Sequence, residues 1–213
     1  MKKEIPTQLI VGLGILLIGG GVMGGEYYLV KWLPRHKAAV REETLQPVPY
    51  KNDKLGIELQ IASGFMGDTE DFAGGVRIIR PKFWGIGPSL TITSQPNPEG
   101  TFEFDPKLLA KWQTDGIYQE LPRYRFSRTK INNRDAVLLS QYRDRSMLLT
   151  TRVISSERII EIDCSPGQED EDLYVDACNE TVHSLKVAGP EPPPPPEPVY
   201  ELTPPARKTK PRS

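Results

Sequence analysis

The chain has 213 residues, with 27 basic and 28 acidic side chains and a formal net charge of −1. This balance excludes a generally basic nucleic-acid binder, because such proteins need an excess of cations to replace the counterions of phosphates. A mean hydropathy of −0.43 excludes a protein with many membrane spans. The averages hide three unlike parts: an apolar N-terminal stretch, a mixed central region and a proline-rich end.

An uncharged apolar stretch covers residues 9–25 and resumes beyond Glu26 at residues 27–30. Counted through the glutamate, it is long enough to cross a bilayer core, which takes about 20 helical residues. It closes on aromatic residues that suit a membrane–water interface, namely Tyr27, Tyr28 and Trp32. We predict a short tail at 1–6 and a transmembrane helix at 7–33. The alternative is a cleaved signal peptide, since small residues near its end loosely resemble a cleavage site.

Glycines recur at a four-residue spacing in this stretch. Two such pairs place small residues on one helix face, where they would let a second helix approach closely: Gly20 with Gly24, and Gly21 with Gly25. Chance spacing is the alternative, because glycine is common in membrane helices. We predict that this face packs against another copy or against a larger membrane complex.

Basic residues flank the predicted membrane helix unevenly. Lys2 and Lys3 precede it, and four cations follow it: Lys31, Arg35, Lys37 and Arg41. The positive-inside rule alone would put the following domain in the cytoplasm. A short tail before a single anchor commonly stays inside while the domain is exported, and the two cysteines favour an oxidising compartment. We therefore predict a single-pass protein of a bacterial-type cytoplasmic membrane, with its domain on the periplasmic side.

Residues 34–49 are polar and rich in proline at their end, which predicts a linker before a domain at 50–188. Alternation of apolar and polar residues with period two predicts half-buried strands at 55–61, 76–79 and 90–93. Asp105 followed by Pro106 is typical of a helix start, with an N-cap and then proline in the first turn. Gly116 is a plausible helix end.

The second half of the domain continues with a strand from residue 124 and a turn at Asn132 and Asn133, since asparagine tolerates positive φ. Three closely spaced strands follow, at 136–142, 147–154 and 158–164. A last helix presents apolar residues at helical spacing from Tyr174 to Leu185. Connections this short cannot make parallel crossovers. The predicted fold class is therefore α+β, with an antiparallel sheet covered by helices.

Residues 129–137 follow the pattern of a strand, a tight turn and an alanine, and the chain closes its last helix with Ser184-Leu185-Lys186. These two segments resemble the PsbP-like α/β/α sandwich family. Asn133 stands where that family usually has glycine. The resemblance covers about residues 50–188. It implies a PsbP-like sandwich and an accessory, assembly or binding role without catalysis, often beside membrane complexes that include photosystems.

The two cysteines are Cys164, at the end of a predicted strand, and Cys178, in the last helix. If that helix folds back across the strand, the sulfur atoms can meet, and closing a loop of about 15 residues would add roughly 3 kcal/mol of stability. The alternative is two buried thiols, because free cysteine is among the most buried residue types.

No arrangement of residues in the sequence indicates catalysis or metal binding. The two cysteines and two histidines lack the spacing of zinc ligands. A serine–histidine pair would have to use His183, which we predict at the surface of the last helix. We therefore predict that the protein is not an enzyme and holds no metal or other cofactor.

Two surfaces are candidates for contacts with other proteins. One is a cationic face formed by neighbouring strands, with Arg123, Arg125, Arg128, Arg143, Arg145 and Arg152. Its alternative is the solvated side of a sheet with cross-strand ion pairs. The other is an aromatic loop containing Phe83 and Trp84, which could equally fold over the core.

From residue 189 to residue 213 the chain is proline-rich, which favours an extended polyproline II conformation. Together these features predict a membrane-anchored, non-catalytic accessory or assembly subunit of a larger membrane complex, photosynthetic or otherwise energy-transducing. Its predicted partners are the bilayer and other membrane subunits, with no nucleic acid. A free envelope-anchored module that binds a ligand is the alternative.

Overall fold

The computed structural model describes residues 25, 27–83, 85–114, 125–143, 146–167 and 170–193. The predicted transmembrane helix at 7–33 lies mostly outside these residues. Among the helices that are described, none combines the length and the apolar character needed to span a bilayer. The proline-rich end is described only up to residue 193.

A helix occupies most of the segment predicted as a linker. A π-helical turn at Tyr28–Trp32 leads into helix α1, Leu33–Leu45. Strand β1, Pro47–Asn52, follows. Pro34 lies in the first turn of α1, where its missing N–H costs no hydrogen bond. The prediction of a linker did not specify this helix, because polarity alone does not distinguish an exposed helix from a loop.

Two antiparallel sheets form the domain. The smaller has the order β1–β2–β10, with β2 at Ile57–Ala62 and β10 at Lys186–Val187. The larger has the order β3–β4–β5–β9–β8–β7–β6. Its strands are β3 Asp68–Phe72, β4 Gly75–Ile79, β5 Ser89–Pro96, β6 Arg125–Ile131, β7 Arg134–Arg143, β8 Ser146–Ile154 and β9 Arg158–Ser165. The predicted α+β class with antiparallel strands is confirmed.

Strand β3 lies in a segment without a predicted strand. All five of its residues are exposed, and three of them are acidic, so it lacks the alternation by which buried strands are found. Its pairing with β4 through a two-residue connection, from Phe72 to Gly75, makes it a strand. A polar edge strand of this kind forms because it pairs with the neighbouring strand.

Two further helices cover opposite sides of the larger sheet. Helix α2, Pro106–Thr114, packs its apolar residues against Phe104, Val137 and Ile154. Helix α3, Glu171–His183, buries its apolar side in the main core, together with side chains of both sheets. This core lies between α3 and the two sheets, so it also joins the smaller sheet to the larger one.

Local signals predicted several element boundaries correctly. Asp105 accepts a hydrogen bond from the backbone N–H of Lys107 at the start of α2, at 2.8 Å. Asn132 and Asn133 connect β6 to β7 with φ of 47° and 64°, the left-handed turn that the sequence predicted. Asp170 caps α3 by accepting from the N–H of Leu173.

Candidate interaction site

A disulfide joins Cys164 and Cys178, as the first of the two alternatives predicted. Their Cα atoms are 6.0 Å apart, and both side chains are buried in the main core. Cys164 lies in β9, at the middle of the larger sheet, and Cys178 lies in α3. The bond therefore fixes α3 across one side of that sheet.

The predicted arginine face divides between the two sides of the larger sheet. Directly paired residues of antiparallel strands point to the same side. Arg125 belongs to the row of pairs that reaches Cys164, so its side chain lies on the α3 side. Arg128 and Arg152 share another row and lie on the opposite side, with α2. Arg143 is the last residue of strand β7, and Arg123 and Arg145 lie outside the described residues.

Arg128 is held by an acidic group of its own domain. Its Nε lies 2.8 Å from Oδ1 of Asp135, and its Nη2 lies 2.9 Å from Oδ2. The buried Asp135 also accepts a hydrogen bond from the backbone N–H of Phe104. The hydrogen bonds to Asp135 raise the pKa of Arg128 above its ordinary value. This geometry joins the loop before α2 to the β6–β7 hairpin.

Arg152 is also engaged inside the domain. It pairs with Glu161 on the neighbouring strand β9. Its guanidinium carbon lies 4.3 Å from the centre of the Trp112 ring, in a cation–π contact. Trp112 packs edge-to-face against Phe104 with ring centres 5.4 Å apart. Arg152 thus holds α2 on the sheet, as expected for the cross-strand ion pairs of the alternative interpretation.

A half-buried carboxyl group lies on the same side of the sheet. Asp163 on β9 accepts a hydrogen bond from the hydroxyl of Thr150 on β8, at 2.5 Å. Burial raises the pKa of Asp163, and the hydrogen bond from Thr150 partly opposes this rise. Its neighbours Thr150, Arg152 and Glu161 belong to the sheet itself, and we assign the carboxyl group no chemistry.

A groove of about 830 Å³ runs beside β6, the basic edge of the larger sheet. One wall is formed by β6 and the turn after it, and the other by the loop before α2 and the start of the proline-rich end. The lining includes Phe102, Glu103, Arg128, Lys130, Glu191 and Pro192. Charges of both signs line it, so the groove favours no single charge of ligand.

Arg134 fixes the start of the proline-rich end against this hairpin. Its buried guanidinium donates to the backbone carbonyls of Val187, Gly189 and Pro190, at 3.0, 3.2 and 3.1 Å. Burial lowers the pKa of Arg134. Local sequence does not distinguish Arg134 from the other cations around it, because its partners are carbonyl groups more than 50 positions away.

The aromatic loop is exposed where the structure describes it. Phe83 is 91% exposed and Ile86 is 69% exposed, while Trp84 lies outside the described residues. Gly87 and Gly167 come so close to neighbouring backbone that a Cβ atom on either would clash. The base of the loop is therefore packed tightly, whereas Phe83 and Ile86 beyond it are exposed.

The structure shows little about the other residues that the sequence singled out. Gly20, Gly21 and Gly24 lie outside the described residues, and a Cβ atom on Gly25 would meet nothing within 4 Å. Within the described part of the chain, no three His, Cys, Asp or Glu side chains are grouped to hold a metal ion. His183 is exposed at the end of α3.

Among solved structures, the fold is similar to that of cyanobacterial PsbP (CyanoP) from Synechocystis sp. PCC 6803. The TM-score is 0.46 with 13% identity, over 68% of this chain and 94% of that one. LpqN of Mycobacterium tuberculosis, described as involved in cell envelope biogenesis, gives a TM-score of 0.41 with 12% identity, over 71% of this chain and 95% of that one. No protein-family model matches the sequence, and no curated protein is significantly similar to it. A PsbP, from the family that the sequence resembles, is thus among the solved structures found, and at these identities the likeness concerns the fold alone.

Proposed function

We propose that this protein is a membrane-anchored accessory or assembly subunit that acts through protein–protein contacts and not through catalysis. In this proposal a single N-terminal helix anchors the chain in a bacterial-type cytoplasmic membrane. The domain lies on the periplasmic side, beside the subunits of a larger membrane complex. Its role is to hold a contact surface at a fixed height above the membrane.

The joint between α1 and the domain is the observation that carries this proposal. Arg41 pairs with Asp176 of α3 at 2.5 Å. Thr44 is buried, and its methyl group lies where a Cβ atom on Gly64 would be. The N–H of Ser63 donates to the carbonyl of Gln46 at 2.9 Å. These contacts hold the end of α1 on the domain, and in this proposal the helix is the stalk that connects the domain to the uncharged apolar stretch.

The disulfide supports the periplasmic location. Disulfides persist in oxidising compartments and are rare in the cytosol, where thiols are kept reduced. Bonding between Cys164 and Cys178 also removes both thiols as nucleophiles or metal ligands. Charged side chains that could serve chemistry, such as Asp135 and Glu161, are used in ion pairs within the domain.

Affinity purification of the tagged full-length protein in mild detergent, followed by mass spectrometry, tests the proposal. We expect a defined set of membrane subunits to co-purify with the wild-type chain. Arg125→Glu is expected to reduce their recovery at least fivefold, since Arg125 is exposed and has no ion-pair partner among the described residues. Arg77→Glu, an exposed cation near the other edge of the sheet, is the matched control. Recovery of the chain alone would refute the proposal.

Thiol labelling in intact cells tests the location. A membrane-impermeant maleimide should label neither cysteine of the oxidised protein. It should label both cysteines once the protein has been reduced and unfolded by reagents that do not cross the cytoplasmic membrane. Labelling that requires lysis of this membrane would place the domain in the cytoplasm.

The groove beside β6 favours a second candidate function, an envelope-anchored module that binds a small ligand. Its volume of about 830 Å³ is within the range of ligand pockets, which is about 300–1,000 Å³. This function predicts that a small molecule raises the melting temperature of the full-length protein. It also predicts that Lys130→Gln, on the groove wall, removes this shift while Arg77→Gln leaves it intact.

A further inference from the structure

The helix before the domain stands free of it for about four turns. From residue 27 to residue 43 every side chain is exposed except that of Leu33, which is half-buried. Its first ion pair with the domain is at Arg41, and the first buried residue is Thr44. The surface of this segment is therefore open to a partner outside the described domain.

The first turns of this segment expose apolar side chains on all sides of the helix. Tyr27, Tyr28, Leu29, Val30 and Trp32 are 58%, 48%, 61%, 65% and 44% exposed. Successive residues of a helical turn point to different sides of its axis, so five apolar residues within six positions surround that axis. A protein groove covers only one side of a helix, whereas hydrocarbon covers all of them. The arrangement favours a bilayer as the partner of these turns.

A row of stacked rings leads from these apolar turns into the basic part of the helix. The rings of Tyr28 and Trp32 lie 4.9 Å apart, and those of Trp32 and His36 lie 4.7 Å apart, both nearly parallel. Aromatic rings with a polar group are enriched where hydrocarbon meets the headgroup layer. The row therefore marks the level at which the helix leaves the hydrocarbon.

Cations begin at this level. Lys31, Arg35 and Lys37 are exposed, and they make no ion pair with any described residue. The sequence has no acidic residue from position 27 to position 41. Along a helix, Lys31 and Lys37 are separated by about 9 Å, which is close to the depth of one headgroup layer, about 5–8 Å. All three cations can therefore reach phosphate groups at once.

We propose that residues 27–37 bind anionic phospholipid headgroups, with Lys31, Arg35 and Lys37 contacting the phosphates and the ring row lying at the edge of the hydrocarbon. This inference deepens the proposed function, because it rests on the chain being held at a membrane. Each cation close to an anionic surface strengthens binding about fivefold. At full strength the three together would give a preference of about 100-fold, and we expect at least tenfold over zwitterionic lipid.

Titration of the full-length protein with phosphatidylglycerol and with phosphatidylcholine, in mild detergent at low salt, tests this inference by native mass spectrometry. The wild-type chain should bind phosphatidylglycerol at least tenfold more tightly. The variant Lys31→Gln/Arg35→Gln/Lys37→Gln should lose this preference. The variant Lys54→Gln/Arg77→Gln/Lys107→Gln has the same change in charge on the exposed domain surface, away from the proposed contact surface and groove, and it should keep the preference.

Equal affinity for the two lipids would overturn the inference, and so would an equal loss in the two variants. Anchoring is tested separately, by washing membranes with alkaline carbonate. If the protein resists the wash but shows no preference for anionic lipid, the spanning anchor is supported and the headgroup site is refuted. Release by the wash would refute the spanning anchor, while the titration would still decide the headgroup site, because a helix lying on the surface needs the same contacts.

Discussion

Removal of the Cys164–Cys178 disulfide should lower the free energy of unfolding by about 3–5 kcal/mol. The bond spans 14 positions, and the entropy of closing such a loop in the unfolded chain accounts for about 3 kcal/mol. The two side chains are 0% and 2% exposed, so Cys164→Ala/Cys178→Ala also removes two buried sulfur atoms. At about 0.8 kcal/mol per buried group of that size, packing adds about 1–2 kcal/mol. Reduction without substitution keeps both sulfur atoms and should show the loop contribution alone.

Urea unfolding of the full-length protein in mild detergent, read by pulse proteolysis, separates these contributions. The oxidised protein, the reduced protein and the double alanine variant should unfold at successively lower urea concentrations. The dependence on urea should steepen after reduction, because the unfolded chain without the cross-link exposes more surface. Oxidised and reduced proteins that agree within about 1 kcal/mol, with the same urea dependence, would refute the reasoning.

Three further changes test the polar contacts and the hairpin. Asp135→Asn should cost about 1–3 kcal/mol in the same urea assay, because it removes the charge that holds Arg128; a cost under 0.5 kcal/mol would contradict this. Burial raises the pKa of Asp163, so its contribution to stability is fully present below its unfolded pKa of about 3.9 and is lost as the pH rises through the folded pKa. Asp163→Asn should flatten the stability–pH curve between the unfolded and folded pKa values of Asp163. An unchanged slope there would contradict the raised pKa of this group. Asn133 has φ of 64°, so Asn133→Gly should change stability by less than about 0.5 kcal/mol, whereas Asn133→Val should cost about 1–2 kcal/mol; variants of equal stability would show that the turn does not require this conformation.

Local sequence predicted the elements whose signals lie within a few residues of one another. Alternating burial in β2 and β9 follows directly from alternating apolar residues. Asp105 acts as a helix cap because its side chain accepts a hydrogen bond from an N–H group only two positions on. The sequence also indicated the disulfide as one of two alternatives, since the last helix must return to the sheet to bury its apolar side.

Tertiary structure alone decided the features that depend on distant partners. Helix α1 packs on the domain through Arg41 and Thr44, whose contacts lie far along the chain. Strand β3 depends on pairing with β4, since its own residues show no buried face. Strand register separated Arg125 from Arg128 and Arg152, because a shift of one position moves a side chain to the other side of a sheet. The sequence pattern can therefore predict that cations lie on neighbouring strands, but only the strand register determines which of them share a surface.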